Sequence, residues 1–60
     1  MNANEYLVCL LVKVGFLPTE ISVLTGLSQS NVSNIRKRLF EKMTGDKGSA
    51  KDFDQYIIGL

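Results

Sequence analysis

The sequence predicts an all-α domain, a compact arrangement of four helices running through residues 1–60. Apolar residues recur at helical spacing in separate stretches, and Gly, Pro or Ser stand where helices should stop and start. At 60 residues, 45% of them apolar, the chain is one domain with little room for an enclosed chemical site. A chain this short buries only about 60% of its unfolded surface, so its stability comes from one compact core or from a partner.

The first helix should span about 4–14, with Leu7, Leu10, Leu11 and Val14 on one face and Gly15 as its stop. Val8 and Val12 widen this apolar surface, so the helix is either nearly enclosed or offers a second face to another subunit or domain. The second helix should span 18–25, with Pro18 in the first turn and Glu20 near the free amides. Leu17 falls at its cap and gives no side-chain acceptor; Ile21 and Leu24 face inward. Gly26 then permits a left-handed turn, and Leu27 plugs the angle to the next helix.

Ser28 caps the third helix, about 29–43, where Val32, Ile35, Leu39 and Met43 form an apolar stripe and Phe40 reaches toward the fourth helix. Its outward set is Gln29, Ser30, Asn31, Ser33, Asn34, Arg36, Lys37, Arg38, Glu41 and Lys42. Gly45 and Gly48 permit positive φ in the following loop. Ser49 and Asp52 then form a capping-box pattern for a fourth helix, about 50–58. Phe53, Tyr56, Ile57 and Leu60 make this a docking helix, with Asp52 and Asp54 outward.

The net charge of +1 is unevenly placed. Residues 1–28 carry Lys13 against Glu5 and Glu20, or −1. Residues 29–51 carry Arg36, Lys37, Arg38, Lys42, Lys47 and Lys51 against Glu41 and Asp46, or +4. Asp52 and Asp54 give the remainder −2. A central basic segment suits local contact with phosphates, and on charge alone it is more often the pattern of a solvated helix face. Cys9, the lone cysteine, reads as a small buried hydrophobe. The apolar run Tyr6 to Val12 is far shorter than the ~20 residues that cross a bilayer, and no basic segment precedes it. A cytoplasmic location and no membrane partner are therefore expected.

A short helix, a glycine turn, a serine cap and a helix with a polar, cationic outer face form the layout of a helix-turn-helix. An α-helix enters the major groove, where Asn or Gln pairs with adenine and longer cations reach phosphates or guanine. Asn31 and Asn34 are expected on base edges, with Gln29 and Ser30 at the groove entrance; the alternative is that Ser30 and Asn31 serve the helix end locally and that Gln29 and Asn34 are only solvated. Lys37 and Arg38 are the leading phosphate contacts. Lys42 lies beyond the recognition segment, either on the DNA backbone or in a surface pair, and Arg36 is positioned to pair with a carboxylate on the other side. Thr19 and Thr25 are either phosphate donors or local backbone partners.

The segment from Gly15 to Leu39 resembles the helix-turn-helix of LuxR-type response regulators and sigma-factor C-terminal domains. Glu20-Ile21-Ser22, Gly26, Leu27-Ser28 and Val32 match the family's Glu-Ile-Ala, turn residue, Ile-Ser and inward Val. Leu39 and Met43 match its later hydrophobic pair. Arg36-Lys37-Arg38-Leu39-Phe40 and Gly48-Ser49-Ala50-Lys51-Asp52-Phe53-Asp54 extend the likeness to C-terminal DNA-binding domains of Bacteroidetes regulators. The resemblance implies a wingless member of the winged-helix-like superfamily, acting in transcriptional regulation and pairing through its last helix. Ser22 departs from the family alanine but is small enough to fit, its hydroxyl bonding back to a carbonyl. Ser33 stands where the family carries Lys, so that phosphate contact is in doubt, with Lys37 and Arg38 as replacements; Ile35 stands where His is frequent.

The expected function is sequence-specific binding of double-stranded DNA, with Thr19, Gln29, Ser30, Asn31, Ser33, Asn34, Lys37, Arg38 and Lys42 as the candidate interface. A homodimer through the fourth or first helix and attachment to a larger regulatory protein are expected partners. The short lead before the first helix suits an isolated output domain without a sensor of its own. The rival is a protein-interaction or dimerisation module that retains the same core. A continuous basic edge around Asn31 and Asn34 favours DNA; interruption by Glu41 or Asp46 beside a larger apolar patch favours the rival. No catalytic pair, metal or organic cofactor is implied, and the chain does not read as an enzyme.

Overall fold

Four short helices pack around a single core to which every helix contributes. The computed structural model describes residues 2–60: α1 (Ala3–Val14), α2 (Pro18–Thr25), α3 (Gln29–Thr44) and α4 (Ala50–Ile58), an all-α bundle with each end within one residue of expectation. The ends agree because local chemistry sets them. Asn2 Oδ1 accepts from the Glu5 amide at 2.8 Å while Glu5 Oε1 accepts from the Asn2 amide at 3.0 Å, a reciprocal box that starts α1 at Ala3. Ser49 and Asp52 exchange the same pair of bonds at α4. Leu17 supplies no side-chain acceptor, but its amide donates to Glu20 Oε1 at 2.8 Å.

The turn from α2 to α3 uses Gly26 at φ 73°, left-handed backbone that a Cβ would strain. Its amide donates to the Ser22 carbonyl, and the Ser22 hydroxyl donates to the Leu27 carbonyl at 2.6 Å. The Ser22 hydroxyl therefore bonds forward into the turn, closing it, instead of back along α2 as expected. Ser28 Oγ accepts from the Asn31 amide at 3.1 Å and caps α3.

The core is Val8 and Val12 from α1, Ile21 from α2, Val32, Ile35 and Leu39 from α3, and Phe53 and Ile57 from α4. This corrects the expected inward face of α1. Leu7, Leu10 and Val14 are exposed and Leu11 is half-buried, because the valines one turn apart take the core side. Leu24, Met43, Tyr56 and Leu60 also lie at least partly in solvent instead of completing the stripes assigned to them. Phe40 meets α4 as expected, its ring edge-on to Tyr56 with centroids 6.1 Å apart.

Arg36 leaves the outward set, being only 5% exposed. Its Nε donates to Asp54 Oδ1 at 2.9 Å and a second bond joins Nη2 to Oδ2, a bidentate pairing across α3 and α4. Asp54 is accordingly half-buried instead of outward. Ser33 is likewise half-buried. At the other edge Lys13 Nζ donates to the Ile57 carbonyl at 3.2 Å, placing a cation at the negative end of α4.

Gly48 does not use positive φ, unlike Gly45. Its requirement is steric: an added Cβ would stand 2.5 Å and 2.7 Å from ring atoms of Phe40 and 2.9 Å from Asp52 Oδ2. Gly48→Ala is expected to lower unfolding stability by about 1–3 kcal/mol through overpacking. Urea denaturation followed by circular dichroism checks this, and unchanged stability would show that Phe40 moves aside freely.

Candidate nucleic-acid interface

The outer face of α3 borders an open groove of about 500 Å³ whose opposite wall is the α3–α4 loop. Asn31, Asn34, Lys37, Arg38 and Glu41 line it from α3, with Lys47 and Gly48 from the loop. Asn31, Asn34, Arg38 and Glu41 step by three, four and three residues, which brings them onto one side of the helix with Lys37 beside them. The core stripe Val32, Ile35, Leu39 holds this side outward. Two amides able to donate and accept, three cations and one carboxylate thus share one surface.

Four of the nine expected site residues meet here: Asn31, Asn34, Lys37 and Arg38. Gln29 and Ser30 are exposed at the start of α3 but do not line the groove. Ser33 is half-buried at the side of the helix and does not line the groove. Thr19 is exposed on α2, beside Phe16, Val23 and Leu24 in a separate, largely apolar depression. Thr25 is used locally: its hydroxyl donates to the Ile21 carbonyl at 2.7 Å and accepts from the Leu27 amide.

Lys47 and Gly48 were not among the expected residues. Their sequence signal is weak, a lone lysine in a loop with two glycines. Proximity to α3 arises because that loop folds back over Phe40 before α4 begins, at a spacing set by Gly48.

Lys42 forms a surface pair, one of the two roles expected of it. Its Nζ lies 3.3 Å from Glu5 Oε2, joining the end of α3 to the start of α1, although the lysine side chain remains largely exposed. The Asn2 amide bond is the main influence holding the Glu5 carboxyl below its ordinary value, and Lys42 adds to it against the opposing effect of desolvation. Burial pushes the Cys9 thiol upward, consistent with a packing role. Among the described residues there is no cluster of side chains suited to hold a metal and no helix long and apolar enough to cross a membrane.

Comparison with family models, curated proteins and solved structures finds no match to this chain.

Glu5 gives the fold a defined response to acid. A depressed folded-state pKa means that the unfolded chain binds more protons, so this contribution is full above the ordinary value of 4.5 and fades as pH falls through the lowered folded value. Glu5→Gln should flatten that part of the stability profile while keeping an oxygen for the Asn2 amide. Thermal melts from pH 7 to pH 3 test it; an unchanged acid slope would remove Glu5 from the linkage.

Proposed function

We propose that the chain binds double-stranded DNA in a sequence-dependent manner, with α2, the Gly26 turn and α3 acting as a helix-turn-helix in transcriptional regulation. The observation that carries this reading is the placement of Asn31, Asn34, Lys37 and Arg38 along one exposed side of α3. In this reading the start of α3 enters the major groove, the asparagines contact base edges and the cations contact phosphates. Lys47 reaches the flanking backbone from the loop. A single module of this kind covers only about 600–1,000 Å² on DNA, so attachment to a larger regulator or a second copy would strengthen binding.

A second reading, protein interaction on the same core, is supported by a separate observation. Glu41 interrupts the basic edge, while Leu7, Leu10, Val14, Val23 and Leu24 are exposed on α1 and α2. These side chains lie on other elements than α3, and an interrupted basic edge beside such a patch is what favours an interaction module that keeps this core without binding DNA.

Fluorescence anisotropy with labelled duplexes tests the leading reading. Asn34→Ala should reduce discrimination between preferred and random duplexes, by about 1–3 kcal/mol for a bidentate base contact, without loss of helix content. Equal losses on both duplexes would refute base reading by Asn34. Lys37→Ala should weaken all sequences alike and reduce the salt slope by about 1. A slope identical to that of the parent chain would remove Lys37 from the phosphate contacts.

A further inference from the structure

We infer that the outward face of α1 pairs antiparallel with α1 of a second copy of this chain, forming a weak reversible dimer. The helix buries Val8 and Val12 and turns Ala3, Leu7, Leu10 and Val14 to solvent. Leu7 is 40%, Leu10 48% and Val14 66% exposed, so the side of α1 farthest from the core is apolar along its length. These residues follow one another by four, three and four, the spacing of a seam that packs against another helix.

The occupant follows from symmetry in that spacing. Reversal about the midpoint of Ala3–Val14 places Ala3 against the partner's Val14 and Leu7 against the partner's Leu10. Every seam residue then meets an apolar residue, as a two-fold interface between identical surfaces requires. Antiparallel packing also sets opposite helix dipole ends beside each other. An apolar groove containing Tyr6, Leu10 and Leu60 continues the seam toward α4.

Area sets the strength. A stable interface covers ~800 Å² on each partner, and one face of a twelve-residue helix, widened by Tyr6 and Leu60, supplies on the order of half that. An interface of that size is weak and transient, so pairing is expected only at high chain concentration. The last helix, implied by the resemblance as the pairing element, holds Phe53 and Ile57 in the core and sets Tyr56 on Phe40, leaving Ile58 and the following Leu60 exposed without a continuous apolar stripe along its length. The α1 seam lies on a different element from the α3 groove, so pairing does not depend on DNA binding.

Sedimentation equilibrium of the full chain, from about 10 μM to 1 mM, should show mass rising from monomer toward dimer. Leu10→Lys, at an exposed position, should remain helical by circular dichroism and monomeric throughout, whereas Val23→Lys on α2 should still dimerise. In a Cys9→Ser background, a mixture of Leu7→Cys and Leu10→Cys chains should form disulfide-linked heterodimers under mild oxidation several times faster than either chain links to itself. A constant monomer mass for the parent chain overturns the proposal, as does undiminished dimerisation of Leu10→Lys or its loss in Val23→Lys. Cross-linking no faster in the mixture overturns the antiparallel arrangement.

Discussion

The three-residue turn Gly26-Leu27-Ser28 is the constraint on which the placement of α3 depends. Left-handed Gly26 redirects the chain, and the hydrogen bonds around it restrict the direction taken. Ser22 donates to Leu27, Thr25 accepts from Leu27, and Ser28 caps the amide of Asn31. A flexible turn would leave α3 free to roll on its apolar stripe. Here its first turn is fixed by hydrogen bonds while Leu27 packs against the core below.

Two further ties hold the rest of α3, each to a different helix. The Arg36–Asp54 pairing joins its middle to α4, and Lys42–Glu5 joins its end to α1. They differ in character. Arg36 is buried and bidentate, so loss of its partner would strand a charge with little access to water. Lys42 is largely exposed and contributes direction more than energy. Turn, buried pair and exposed pair therefore tie the helix at three points, and the side bearing Asn31, Asn34, Lys37 and Arg38 faces away from the core.

Element boundaries were legible in the sequence because caps and breakers act over three or four residues. Asp52 serves the Ser49 cap as the spacing implied, and Pro18 opens α2. The buried side of α1 was less legible because Leu7, Val8, Cys9, Leu10, Leu11 and Val12 are all apolar, so two overlapping stripes satisfy helical spacing. Packing against Ile21, Val32, Leu39 and Phe53 selects Val8 and Val12. That Arg36 pairs with a carboxylate was legible, but its burial and the identity of Asp54 were not, because that partner lies 18 residues away on another helix. Lys47 was missed for the same reason, its nearness to Lys37 being a property of the folded loop. On the site itself, the shared direction of Asn31 and Asn34 followed from periodicity, whereas the diversion of Lys42 to Glu5 required the tertiary structure.

Glu41 bears on selectivity in the proposed DNA complex. Lys37, Arg38 and Lys47 share their groove with this carboxylate, so three positive charges face one negative charge. Phosphate attraction is common to every sequence, and a carboxylate on the same surface weakens it everywhere. In the proposed complex, contacts of Asn31 and Asn34 with bases would be gained only where the sequence fits. Reducing the common term while leaving the sequence-dependent term intact lowers absolute affinity but limits occupation of random sites, which compete in vast excess over specific ones. A chain whose net charge is only +1 has little long-range attraction to add. In that proposed complex residence on DNA would be decided by short-range fit at α3, and the ties at Gly26, Arg36 and Lys42 that orient the helix would then bear on recognition as well as on folding.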